Sequence, residues 1–144
     1  MAIDTSGPWW RGSQFDDLVE YLRLLSAEGY PATDIRQSTC GCGGVVFRLY
    51  ADADEGCAQT ECVRCSARSF IGDSADYWEE ATPTLAVCPC GGEDAELAVG
   101  FSDRANGEVR WITVGQRCVQ CGVLASSVDW KIDYAPTNHL RLQT

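Results

Sequence analysis

The sequence predicts a small α+β protein held by clustered cysteines more than by one large core, with an amphipathic N-terminal helix followed by two β-hairpin units in tandem. Three observations carry that expectation. Nine cysteines occur in an order that is written twice. One stretch near the N-terminus has helical apolar spacing, and the residues between the cysteine pairs alternate like strands around turns.

The elements follow in chain order. Trp9-Trp10 lies in a glycine- and proline-flanked leader, where such a pair is either a packed flap or an exposed anchor for a partner. A helix is predicted over 13–29: Ser13 and Asp16 resemble a capping box, Phe15, Leu18, Val19, Leu22 and Leu25 keep helical spacing, and Gly29 with Pro31 stops it. One face is greasy, so the helix is expected to cover one of the cysteine blocks or their junction. In the first block, Val45 to Tyr50 is strand-like, Asp52 to Gly56 turns, and Cys57 to Glu61 returns. Asp73-Ser74 is read as the cap of a short helix through Ala81, with Asp73, Asp76, Glu79 and Glu80 on a solvated face. In the second block, Ala95 to Phe101 and Val109 to Val114 flank the hairpin signal Asn106-Gly107. The segment Ser127-Val128-Asp129-Trp130 echoes Ser74-Ala75-Asp76-Tyr77-Trp78, so the chain reads as a duplication of knuckle, hairpin, knuckle and trailing segment. The division is 1–39 for leader and helix, 40–87 for the first unit, and 88–144 for the second unit with a C-terminal tail.

Each block carries C-x-C-G-G and then C-x-x-C: Cys40-Gly41-Cys42-Gly43-Gly44 with Cys62-Val63-Arg64-Cys65, and Cys88-Pro89-Cys90-Gly91-Gly92 with Cys118-Val119-Gln120-Cys121. Four thiolates brought together by two tight turns suit a tetrahedral Zn²⁺, which takes sulfur at about 2.3 Å. Pieces below roughly 40 residues rarely fold without such a staple. Iron remains open chemically, since four cysteinates hold it in electron carriers. Were the chain secreted, eight of the cysteines could instead form four disulfides.

At these residues the chain resembles the zinc ribbon group, in which two cysteine knuckles at the ends of a β-hairpin share one zinc. The resemblance covers 40–65 and 88–121. It implies one ion on Cys40, Cys42, Cys62 and Cys65 and a second on Cys88, Cys90, Cys118 and Cys121, with interleaved pairing between blocks as the alternative. Gly43, Gly91 and Gly122 stand where a permissive backbone turns amides toward sulfur. Two departures are visible: both first knuckles are one residue shorter than C-x-x-C, and Ser66 stands where glycine is usual.

The net charge is −10, and no segment is basic. Lys131 is the only lysine, a bias that reads as GC-rich coding. Because nucleic-acid affinity rests on cations against phosphate, nucleic-acid binding is not expected, although it is the rival function for a ribbon. Catalysis is not expected either. Both cysteine sets are complete where catalytic zinc keeps an open position, the deaminase signature is not supplied by Cys88-Pro89-Cys90, and the one histidine, His139, reads as a solvent-facing tail residue. Cys57, the ninth cysteine, reads as a partly buried thiol on the return strand, and most of the five tryptophans as cover for small cores. Met1 to Ser6 has no basic stretch leading into an apolar core, so it does not read as a secretory signal. The expectation is a cytoplasmic, bacterial, non-catalytic protein that binds another protein, in one form an acidic inhibitor or immunity-type protein against a basic partner, with no membrane association.

Overall fold

The computed structural model describes residues 3–144; Met1 and Ala2, the start of the stretch read above for a signal sequence, lie outside the described residues. The described residues form one α-helix, α1 (Phe15–Ser26), and eight strands: β1 (Asp34–Gln37), β2 (Val46–Asp52), β3 (Cys57–Cys62), β4 (Arg68–Phe70), β5 (Thr84–Leu85), β6 (Ala95–Asp103), β7 (Val109–Cys118) and β8 (Leu124–Lys131). Every pairing is antiparallel. The main path of the sheet is β4-β3-β2-β6-β7-β8, with β1 added to β6 and β5 to β2.

Two hairpins therefore share one sheet. β2 meets β6 through Val46↔Glu96 and Phe47↔Ala95, and β1 continues along the same edge of β6 from Gln37↔Ala98 to Asp34↔Phe101. The period of two along β6 and β7 explains the layering. Leu97, Val99, Phe101, Ile112 and Val114 point to one face, where they join Phe47, Leu49, Ile71, Val128, Trp130, Ile132 and Leu140 in a single buried cluster. Side chains from both cysteine blocks thus fill one interior.

The opposite face of β6, β7 and β8 receives α1. Leu18 and Leu22 are fully buried there against Ala98 and Leu124. Small residues make the approach possible, since a Cβ on Gly115 would stand 2.7 Å from Leu22 Cδ2. The helix is shorter than its apolar spacing predicts. Its cap is one residue later: the Asp17 carboxylate accepts hydrogen bonds from the Ser13 amide at 2.9 Å and the Gln14 amide at 3.3 Å, so Asp17 takes the place expected for Asp16 and is buried. Among the described residues, no helix is long and apolar enough to cross a membrane.

Four further expectations are corrected. The segment 73–81 forms two 3₁₀ turns, Ser74–Asp76 and Trp78–Glu80, in place of one helix. Asp73 is not on a solvated face. It is 6 % exposed and accepts hydrogen bonds from Trp130 Nε1 at 3.0 Å and Tyr134 Oη at 2.6 Å, because β8 carries Trp130 across to the first unit. The echo around Trp78 and Trp130 does not mark equivalent places, since the first is in a turn and the second in a strand. The matching elements are β4 and β8, each laid beside its hairpin after the second knuckle. Finally, the C-terminal residues are a packed element: Thr137 and Leu140 are buried, and Arg141 pairs with Asp34 at 2.8 Å and with Asp103.

Candidate metal centres

The two first knuckles share one geometry that follows from C-x-C-G-G. The Cys40 amide donates to Gly44 O at 2.8 Å and the Gly43 amide to Cys40 O at 2.8 Å; in the second block the Cys88 amide donates to Gly92 O at 2.9 Å and Gly91 to Cys88 O at 2.8 Å. The first glycine of each pair supplies a left-handed backbone, with φ +90° at Gly43 and +89° at Gly91. The second glycine clears space for sulfur. A Cβ on Gly44 would lie 3.1 Å from Cys62 Sγ, and one on Gly92 would lie 3.0 Å from Cys118 Sγ. The shorter knuckle thus works because two glycines follow it, and the need for Gly44 and Gly92 was not seen in the sequence.

The second knuckles close each hairpin. Ser66 and Gly122 donate to Cys62 O and Cys118 O, both at 2.8 Å, with φ +65° and +83°. Ser66 accepts the conformation that Gly122 takes in the second centre, so its departure from the usual pattern leaves the turn intact. Strand pairing does the rest: Cys62 sits opposite Phe47 and Cys118 opposite Ala95.

These turns gather the eight cysteines into two local groups, Cys40, Cys42, Cys62 and Cys65, and Cys88, Cys90, Cys118 and Cys121, whose sulfurs within each group lie within 4.8 Å of one another. The nearest pairs are Cys40–Cys65 and Cys88–Cys121 at 3.4 Å, and Cys42–Cys62 and Cys90–Cys118 at 3.7 Å. A sulfur–sulfur bond is about 2.05 Å, so these are not disulfides, and all nine cysteines are free. A tetrahedron with about 2.3 Å metal–sulfur bonds has edges of about 3.8 Å. The sets fit a four-coordinate metal ion and leave no ligand position open.

Backbone donors favour the thiolate form the ion needs. The amides of Cys65 and Arg64 pull the Cys62 thiol down to about 7, and the Gly92 amide does the same for Cys90, also to about 7. Burial, then hydrogen bonding with Cys121, pushes Cys88 up to about 12. A cation is what lets all four sulfurs lose their protons together.

The two centres differ in cover. In the first, Cys42 and Cys65 are exposed and Cys62 is buried. In the second, Cys88 and Cys118 are buried and pack with Val123, with Cys121 against them. Arg48 lies between the blocks, pairing with Glu61 at 3.7 Å and with Asp94 at 3.3 Å.

The remaining candidates are placed plainly. Cys57 is fully buried, joins neither group, and is pushed up to about 11 by burial and by the carboxylates of Asp52 and Glu55. His139 is exposed on a 3₁₀ turn. Trp130 alone among the tryptophans is buried in the core; Trp111 stacks on Tyr30 at 5.0 Å and Trp78 meets Phe70 edge-on at 5.4 Å. Trp9 and Trp10 are 52 % and 39 % exposed, as are Leu24 and Leu25 at 56 % and 52 %. With Pro8, Tyr21 and Leu124 they line one apolar groove of about 290 Å³, and Trp10 meets Tyr21 edge-on at 6.1 Å. The Trp9-Trp10 pair was the advance signal of an exposed apolar face, whereas Leu25, expected on the same stripe as Leu18 and Leu22, faces this groove instead.

No protein-family model, no curated protein and no solved structure matches this chain.

Proposed function

We propose that this protein is a zinc-held, non-catalytic recognition module that binds a basic protein partner. The observation that carries the reading is the groove between leader and helix: two tryptophans and two leucines stand exposed together on a chain of net charge −10. Aromatic anchors in a concave apolar site are the usual source of interface affinity. Charge of one sign selects and steers a partner of the other.

Zinc serves structure in this reading. Each cysteine set is closed, and filling both adds about −4 to the charge, since eight thiolates meet two divalent ions. That makes the surface still less suited to phosphate and still better suited to lysine and arginine. A concrete form is an acidic inhibitor or immunity-type protein that covers a basic surface, in a compartment where thiols stay reduced.

The test has two parts. Native mass spectrometry of the intact chain is expected to show two zinc ions. Calorimetry at physiological ionic strength is expected to show binding of a synthetic leucine–lysine amphipathic peptide, lost in Trp9→Ala/Trp10→Ala, and no binding of duplex DNA or single-stranded RNA. Tight, salt-dependent nucleic-acid binding without peptide binding would replace this function with its rival.

A further inference from the structure

The groove is not built by the helix alone. Its other wall is the leader, and the leader is fastened to the second cysteine centre. The Gly12 amide donates to Gly122 O at 2.8 Å, the Leu124 amide donates to Trp10 O at 2.8 Å, and Arg11 bridges to Val123. Arg117, itself paired with Glu96 at 2.7 Å, donates from Nη1 to Gly12 O at 3.2 Å. Every one of these anchors lies in or beside the knuckle that runs from Cys118 to Val123, within one or two residues of Trp10.

The knuckle that holds the leader also carries two of the sulfurs of the second centre. The Gly122 amide bonds Cys118 O and the Cys118 amide bonds Val123 O, and Cys118 and Cys121 belong to the second group. The leader also demands glycine at 122. A Cβ there would lie 2.7 Å from Gly12 O, and φ is +83°. The matching residues of the first centre, Ser66 and Ala67, bond within their own knuckle, through Ser66 N to Cys62 O and Cys62 N to Ala67 O. Among the described residues, no leader is fastened there.

The geometry points to a metal-gated docking site: the ion held by Cys88, Cys90, Cys118 and Cys121 sets the leader in place and so forms the groove, while the ion of the first centre does not. This rests on the recognition function proposed above and adds its regulation. The occupant is a basic amphipathic segment of a partner protein, its apolar side against Trp9, Trp10, Leu24 and Leu25 and its cations toward a chain of net charge −10. Coupling of this kind runs both ways, so loosening the leader must weaken metal binding at the second centre and nowhere else.

The zinc-loaded full chain can be read directly by the indole N–H resonances of its five tryptophans, with Trp9 and Trp10 assigned through Trp9→Phe and Trp10→Phe. Cys90→Ser is expected to shift both resonances and to weaken the leucine–lysine peptide by about tenfold, whereas Cys42→Ser leaves both measurements unchanged. Gly122→Ala keeps all eight sulfurs but drives a Cβ into the Gly12 carbonyl. It is expected to move the same two resonances and to weaken zinc at the second centre by about tenfold, read by competition with a chromophoric chelator. Wild-type resonances and zinc affinity in Gly122→Ala would overturn the gate, as would equal shifts in Cys42→Ser and Cys90→Ser. A peptide that binds no form of the protein, while the resonances still follow the second centre, would remove the recognition function and leave the coupling standing.

Discussion

Replacing Asp73 by alanine tests the least expected contact in the fold. Asp73 ties the first unit to β8, since its two carboxylate oxygens accept from Trp130 Nε1 at 3.0 Å and from Tyr134 Oη at 2.6 Å. The two losses are unequal. Trp130 is 7 % exposed, so its indole N–H would be left without a partner away from water, which costs about 1–3 kcal/mol. Tyr134 is 39 % exposed, and water replaces much of its bond, leaving a loss of about 0.5–1 kcal/mol. The sum is about 1.5–4 kcal/mol, which lowers Tm by roughly 4–12 °C for a domain of this size. The assay is thermal unfolding of zinc-loaded protein followed by circular dichroism, with tryptophan emission recorded alongside. Asp73→Asn keeps an acceptor for the indole and is expected to lose less than about half as much. An Asp73→Ala protein within about 0.5 kcal/mol of wild type, the range of an ordinary surface change, would refute the buried-acceptor argument.

A chromophoric chelator is expected to strip the metal in two phases, the first centre before the second, because Cys42 and Cys65 are exposed while Cys88 and Cys118 are buried; Cys42→Ser should remove the fast phase alone. Cys57 should resist thiol reagents in the native protein at pH 8, since its thiol is held near 11. Its folded value lies above the ordinary 9.0, so the stability linked to it is present below pH 9 and is lost as pH rises toward 11; the pH-dependence of unfolding in Cys57→Ala should be correspondingly flatter over that window. Gly115→Val would push a side chain into Leu22, whose Cδ2 lies 2.7 Å from the Cβ position, and should cost about 1–3 kcal/mol in denaturant unfolding, partly restored by Leu22→Ala.

The sequence made the local chemistry legible because knuckles and hairpins are written in neighbouring residues. Eight ligand candidates, both hairpins and the Asn106-Gly107 turn could be read from spacing alone, and the strands came out close to Val46–Asp52, Cys57–Cys62, Ala95–Asp103 and Val109–Cys118. What stayed hidden was set by distance along the chain. β8 was passed over although Val128, Trp130 and Ile132 keep a period of two, because its polar residues Ser126, Ser127 and Asp129 suggested a trailing segment and its partner strand lies in β7. β1 is short, and nothing local shows that it will extend β6. Asp73 looked solvated for the same reason, since its partners are more than fifty residues away. The cap at Asp17 was missed by one residue because Ser13 and Asp16 match the capping pattern, whereas the helix starts after Gln14, a residue that pattern does not favour, and Asp17 makes the bonds.

The seam between the two halves has a consequence for how such a chain can change over generations. Only two register pairs, Val46↔Glu96 and Phe47↔Ala95, zip β2 to β6, so side chains, far more than the strand ladder, hold the halves as one body. Neither half is therefore a portable cassette. A cysteine hairpin cut from this chain and grafted elsewhere would leave behind the lining that Phe47, Leu49 and Ile71 share with Phe101, Val128 and Trp130, and any recombination that exchanged one half would have to carry those contacts with it.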